Sequence, residues 1–271
     1  MVEKSEPRGD GNSGQYFSPK PLQQIVARSA VQLIKGQVVL RFGIGLPALG
    51  RIIEMDTALE MLTFEIPEIA QQVLREFDRD LFENHLARFK RQEFLRLELE
   101  KQNWIAFVEN GSVLPRKHLH SQEPLEEAVL FQSPKKWETT IEYQGEKISG
   151  MYIPSGLTLI AGGGFHGKST LLDTLEMGVY NHIESDGRSG VVIRQDAMKI
   201  RSEDGRPVHG VDISNWVKEL PGNKSPNFFN ADDASGSTSQ AAAISEALEM
   251  GSKLFLIDFI NGTLSGCSFN K

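Results

Sequence analysis

Twelve consecutive residues concentrate the chemistry of this chain: Leu159-Ile160-Ala161-Gly162-Gly163-Gly164-Phe165-His166-Gly167-Lys168-Ser169-Thr170. Gly162, Gly167, Lys168 and Ser169 satisfy the spacing G-x-x-x-x-G-K-[ST], whose physics is phosphate binding. Glycines reach φ > 0, so several backbone N–H groups can turn toward one anion. A helix opening after Gly167 adds unpaired N–H groups and the positive end of its dipole. On this reading Gly162, Gly163, Gly164, Phe165, His166, Gly167 and Thr170 line the phosphate loop. Lys168 reaches the β- and γ-phosphates, and the Ser169 hydroxyl sits on Mg²⁺. The expected ligand is ATP with Mg²⁺.

Gly162, Gly164 and Gly167 also read as G-x-G-x-x-G, the dinucleotide fingerprint, with Glu184 and Asp186 about twenty residues on. That fold wants its acid at the end of the second strand. Here the acids precede the next apolar run, Val191-Val192-Ile193, and a dinucleotide leaves Lys168-Ser169-Thr170 without a task. The triphosphate reading is therefore preferred.

Such a loop needs a strand before it and a helix after it. Residues 156–160, Gly-Leu-Thr-Leu-Ile, are the expected strand, and residues 168–180 the helix, with Leu171, Leu172, Leu175 and Val179 along one side. A second helix start lies downstream. Asp232-Asp233-Ala234-Ser235-Gly236-Ser237-Thr238-Ser239-Gln240 precedes a helical pattern from Ala241 to Met250. One cap needs one hydroxyl. A run holding Ser235, Ser237 and Thr238 instead reads as a donor-rich pocket at a positive helix end. Leu254-Phe255-Leu256-Ile257 then reads as a buried strand ending in Asp258, a position from which such an acid holds Mg²⁺. Lys168 and Asp258 are thus the candidate catalytic groups, and Ser169 and Asp258 the candidate metal ligands.

The 271 residues carry a net charge of −7, with 39% hydrophobic and 24% charged residues. That composition builds a core and supplies no global basic field for nucleic acid. The single cysteine, Cys267, excludes an intramolecular disulfide and fits a reducing compartment. No apolar run approaches membrane-spanning length and the N-terminus lacks an apolar signal core. An intracellular location is expected, the cytoplasm before an organelle. Residues 1–20 read as a flexible tail, 21–149 as an α+β region, and 150–271 as a P-loop core. Within 68–102 the charges on the helical pattern are mixed in sign, a solvated face before a nucleic-acid surface, with Arg88, Lys90, Arg91 and Arg96 as the residues to test for the latter. Asn110-Gly111 reads as a hairpin turn after the strand Trp104–Val108. Residues 195–209 read as a charged loop.

Several stretches together resemble one family: Gly-Gly-Gly-Phe-His-Gly-Lys-Ser-Thr-Leu-Leu, Gly-Val-Tyr-Asn-His-Ile, Lys-Ile-Arg-Ser-Glu-Asp-Gly-Arg and Ala-Ser-Gly-Ser-Thr-Ser-Gln. They look like the predicted ATPases of the ABC class, soluble proteins without a membrane domain of their own. The likeness runs from about Gly43 to Asp258. It implies an α/β P-loop NTPase with an ABC-type core, Walker A at Gly162 to Ser169 and the Walker B acid at Asp258. Ser235, Gly236 and Gln240 match the ABC signature run, with Ser237 and Thr238 replacing its second glycine and first glutamine. The resemblance implies that Ser235, Gly236 and Ser237 meet the γ-phosphate of ATP held by a second copy, in a homodimer that closes on MgATP. An RNA or a further protein is a possible coupled partner. The family carries a glutamate after the Walker B acid. Here Phe259 stands there, and the expected switch region does not follow before Lys271. That suggests a chain truncated after Walker B, in which binding survives and hydrolysis is in doubt. A nucleotide sensor without hydrolysis and a P-loop small-molecule kinase remain as alternatives.

Overall fold

The structure, a computed structural model, describes residues 7–223 and 225–258. It divides into two compact units, Met1–Ala87 and Arg88–Lys271. Phe259, Cys267 and the rest of the C-terminal stretch on which the missing glutamate and switch were argued lie outside the described residues.

The first unit is built from short antiparallel pairs and one bent helical run. Its strands are β1 (Tyr16–Phe17), β2 (Gln24–Ile25), β3 (Val31–Ile34), β4 (Gln37–Leu40), β5 (Gly43–Ile44), β6 (Ala48–Leu49) and β7 (Ile52–Ile53). β3 and β4 form a hairpin whose turn, Lys35-Gly36, takes φ of 51° and 79°. The paired positive φ values are those that a tight two-residue hairpin requires. Helix α1 (Met55–Glu60) passes through a π turn at Met61–Glu65 into α2 (Ile66–Arg75). Residues 8–17, expected in a loose tail, are tied down. β1 pairs with β5, Gly9 bridges to Ala48, and Arg8 Nη1 and the Tyr16 hydroxyl donate to Glu65 at 2.6 and 2.8 Å. Burial, then the Glu65 hydrogen bond, pushes the Tyr16 phenol up to about 12.

The second unit holds an antiparallel sheet between two helical layers. The part of helix α3 (Arg79–Lys101) from Arg88 onward leads into β8 (Trp104–Glu109), and β9 (Glu138–Tyr143) and β10 (Glu146–Pro154) follow. Next come α4 (Lys168–Met177), β11 (Asn181–His182) and β12 (Val191–Ile193). The sheet order is β12-β8-β10-β9. Alternation along the strands sorts the core. Phe107 and Val192 face Leu95 and Leu99 of α3, while Ala106, Val108, Val191 and Ile193 pack with Leu175 of α4. A β12 covered on both faces explains its unbroken Val-Val-Ile run. Asn110-Gly111 does not turn a hairpin. β8 pairs with β10 and β12, and the Asn110 carboxamide instead receives Ser133 N–H at 2.7 Å.

The remaining elements are β13 (Ala197–Ile200), β14 (Arg206–Val211), β15 (Phe229–Ala234), α5 (Gly236–Glu249) and β16 (Leu254–Ile257). The expected charged loop at 195–209 therefore contains one whole strand and the start of another. β13 pairs with β16 in parallel, Ala197 opposite Leu254 through Ile200 opposite Ile257. Lys199 can sit in β13 because its ammonium reaches Asp173 at 2.5 Å and Glu176 at 2.7 Å on α4. One parallel pair, β13 and β16, connected through β14, β15 and α5, beside an antiparallel sheet flanked by helices, is consistent with an α/β fold. Residues 156–160 are not a strand. A strand is defined by its ladder, and this segment has no ladder partner among the described residues, with Leu157 and Leu159 exposed. Among the described residues no helix is long and apolar enough to cross a membrane.

Candidate functional site

The glycine-rich loop lies between the end of β10 and α4, and residues 161–167 are exposed. Phe165 and Gly167 take left-handed φ of 60° and 76°. Two such residues bracketing His166 coil the chain tightly just before the helix. Gly167 makes the turn without strain. Phe165 does not, because its Cβ crowds the backbone at that angle. The phenyl ring makes no compensating contact and stands fully in solvent.

Nothing lies within 4 Å of the place a Cβ would take on Gly164 or Gly167, so these glycines leave a cradle open. Gly167 is the N-cap of α4 and no side chain caps that helix end. The first-turn amides after Gly167 thus have no intrahelical acceptor. Lys168 folds back along the loop, its Nζ donating to Gly163 O at 2.6 Å, while Gly163 N–H donates to His166 Nδ1 at 3.2 Å. Loop, helix N-terminus and ammonium therefore converge, as a phosphate requires.

Asp258 follows β16 directly and is half-buried. Leu254 and Leu256 of β16 share a core with Leu175, Leu171 and Leu172 of α4. The helix that opens at the glycine loop is thus packed on the strand that ends at Asp258. Neither Asp258 nor the Ser169 side chain makes a hydrogen bond or ion pair among the described residues. Both remain available as oxygen ligands.

The second helix start differs from its expected form. α5 begins at Gly236 rather than near Ala241, with Ser235 as N-cap. Ser235 Oγ lies 3.2 Å from Ser237 Oγ and 3.0 Å from Thr238 Oγ1, so the hydroxyls cluster at the helix mouth. Gly236 N–H, however, donates to Asp204 Oδ1 at 2.5 Å, and Glu203 N–H donates to Ser239 Oγ at 2.9 Å. A Cβ on Gly236 would fall 2.3 Å from Ser202 Oγ. Residues 202–204 are therefore seated on the first turn, and Asp204 places a carboxylate where the dipole favours one. The missing side chain at Gly236 leaves room for the Ser202 hydroxyl and the Asp204 carboxylate of its own chain.

A buried polar seam that the sequence did not reveal fixes the far end of α4. Arg96 of α3 donates to Gly178 O at 3.1 Å, Ile193 O at 2.6 Å and Asn181 Oδ1 at 2.9 Å, and burial lowers its guanidinium below the ordinary value. Gln92 exchanges hydrogen bonds with the His182 backbone at 2.8 and 2.7 Å. His182 Nε2 meets Met177 O at 2.9 Å. Its Nδ1 comes within 2.8 Å of Asp186 without meeting hydrogen-bond geometry. Arg116 holds Asp186 at 2.9 Å. Arg188 donates to Leu114 O, and burial followed by repulsion from Arg116 brings its guanidinium down to about 10.

Three of the four cations singled out as a possible nucleic-acid surface are engaged within the fold. Arg88 pairs with Glu184 at 2.5 Å, Arg91 forks onto Glu109 at 2.9 and 2.6 Å, and Arg96 belongs to the seam. A helical pattern of mixed charges shows which face is polar, not that a sheet covers it. The described residues hold no cluster of three or more His, Cys, Asp or Glu suited to a metal ion.

Two family models match consecutive stretches of the chain. One, described as the ABC_ATPase P-loop domain, covers residues 78–260. The other, the N-terminal part of the ATPase of the ABC class, covers residues 2–76. Among curated proteins the chain is similar to the uncharacterized protein MJ1628 of Methanocaldococcus jannaschii, with 29% identity over 196 residues. That alignment takes in 69% of this chain and 44% of the relative, so the chain spans under half the length of that protein. With the α/β core, the glycine loop opening α4 and both family models in agreement, this chain belongs to the ABC-class ATPases with a P-loop domain.

Proposed function

We propose that this chain binds MgATP at the Gly162–Thr170 loop and uses it to pair with a second copy through the start of α5. The observation that carries the reading is the convergence at one place of an open glycine cradle, an uncapped helix N-terminus and the Lys168 ammonium. Together they offer an anion what a plain glycine turn lacks.

The donor set fits the implied metal. Ser169 and Asp258 supply a hydroxyl and a carboxylate, hard oxygen donors of the kind Mg²⁺ takes. Bound there, Mg²⁺ would screen the β- and γ-phosphates. The protein's own contribution is to position. The Gly164–Ser169 backbone would grip the phosphates, and Lys168 would lie against the β- and γ-oxygens. At the second site Gly236 N–H is already taken by Asp204. The Ser237 and Thr238 amides and the Ser235 hydroxyl are the groups left for a phosphate carried by a partner copy. This leaves Ser235 and Ser237 as ligands and gives Gly236 a steric role.

A binding-only sensor is the second reading, favoured by Phe259 at the position where the family resemblance implies a catalytic glutamate. Without a base or water-positioning group, rates commonly fall by about 10²–10⁴. Phosphate release separates the two. Turnover that matches a glutamate-restored Phe259→Glu variant would remove the sensor reading.

The nucleotide site is tested by calorimetric titration with MgATP. Lys168→Ala should weaken binding by about 100-fold, the order of one lost charge-assisted contact in a site built around it, with the melting temperature unchanged. Equal affinity in that variant would refute the site. Ser235→Arg should leave monomer binding intact and abolish ATP-dependent pairing in sedimentation. Undiminished pairing would remove Ser235 from the interface.

A further inference from the structure

His166 is not held by core packing, since it lies in an exposed loop. Its ring nonetheless has a defined seat. The Cβ position of Gly162 is 3.6 Å from His166 Nδ1, and that of Gly163 is 3.2 Å from His166 Cε1, so the imidazole lies over both glycines. Nδ1 accepts Gly163 N–H at 3.2 Å. The carbonyl of the same residue, Gly163 O, accepts Lys168 Nζ at 2.6 Å. Gly163 is therefore held from both sides, by an imidazole lone pair on its N–H and by an ammonium on its C=O.

We infer that His166 is a positioning residue for nucleotide, bracing Gly163 so that its carbonyl holds the Lys168 ammonium over the phosphate cradle. The inference rests on the nucleotide site proposed above. Lysine needs such an anchor. Its four-carbon stem is flexible, and Lys168 has no carboxylate partner among the described residues. A glycine carbonyl is a poor anchor unless its own backbone is fixed, because glycine samples more of φ/ψ space than any other residue. The brace supplies that fixation. It requires an unprotonated acceptor at Nδ1, and so places the ring proton on Nε2. Phe165 completes the device. Its left-handed φ turns the chain so that residue 166 folds back over the loop.

The test compares MgATP and MgADP affinity of the full chain as wild type, His166→Ala and His166→Asn, with Lys168→Ala as reference. Asparagine carries Oδ1 the same number of bonds from Cα as histidine carries Nδ1, so it can accept from Gly163 N–H. Loss of one such hydrogen bond should weaken both nucleotides by about three- to tenfold in His166→Ala. His166→Asn should recover most of that loss, and the melting temperature without nucleotide should be the same in all three. Wild-type affinity in His166→Ala would overturn the brace, as would an Asn variant as weak as the Ala variant. A melting temperature that falls in step with affinity would make the residue structural and overturn it too. If Lys168→Ala also binds normally, the nucleotide site itself is wrong. If Lys168→Ala fails while His166→Ala does not, only the brace falls.

Discussion

The two helix entrances of the second unit look alike as sequence, small and hydroxyl residues ahead of an amphipathic helix, yet their N–H groups have different fates. At α4 no side chain caps the helix, the cradle over Gly164 and Gly167 is open, and the loop is exposed. At α5 the chain has capped itself. Asp204 takes Gly236 N–H, Ser239 takes Glu203 N–H, and Ser202 fills the space above Gly236. A glycine pattern marks where backbone can be approached closely. What approaches, a ligand or a distant stretch of the same chain, depends on contacts that local sequence does not contain.

Four substitutions press on that contrast. The largest effect is expected from Gly236→Ala. Its Cβ must push aside the Ser202 hydroxyl and the Asp204 carboxylate that takes the Gly236 N–H, and unfolding by denaturant should show a net loss of about 1 kcal/mol. Gly164→Ala is its control and should stay within about 0.5 kcal/mol, since that site is open. Comparable losses at both glycines would erase the distinction. Next is Phe165→Gly, which relieves a left-handed non-glycine residue with no core contact to lose. It should raise stability by about 0.5–1 kcal/mol after the added freedom of the unfolded chain is counted. A loss instead would mean that the ring packs in solution. The smallest effect belongs to Asp204→Asn, which keeps an acceptor but removes the charge at the α5 dipole. About 0.5 kcal/mol should go, less at high salt. No salt dependence would reduce Asp204 to an ordinary acceptor.

What was legible in the sequence was what is local. The places of the glycine-rich loop, α4 and β16 follow from spacing and apolar runs, and Val191–Ile193 reads as a strand because both its faces are covered. The misreadings share a cause. β13 hides inside a charged stretch because Lys199 is neutralised by Asp173 and Glu176, residues more than twenty positions upstream. α5 starts five residues before its clear helical pattern, where the distant Asp204 accepts its first N–H. Arg91 and Arg96 were read as surface cations, whereas Glu109 and a set of backbone acceptors bury them against the sheet. Residues 156–160 carry a strand-like pattern without a ladder, and pattern alone cannot supply a neighbour.

The most direct test of the account is hydrogen exchange of the full chain with and without MgATP, at a concentration where it sediments as a monomer. The account predicts added protection at the amides of residues 164–170 and none at 236–239. Protection at the start of α5 with an unchanged glycine loop, or no change at either entrance under saturating MgATP, would contradict it.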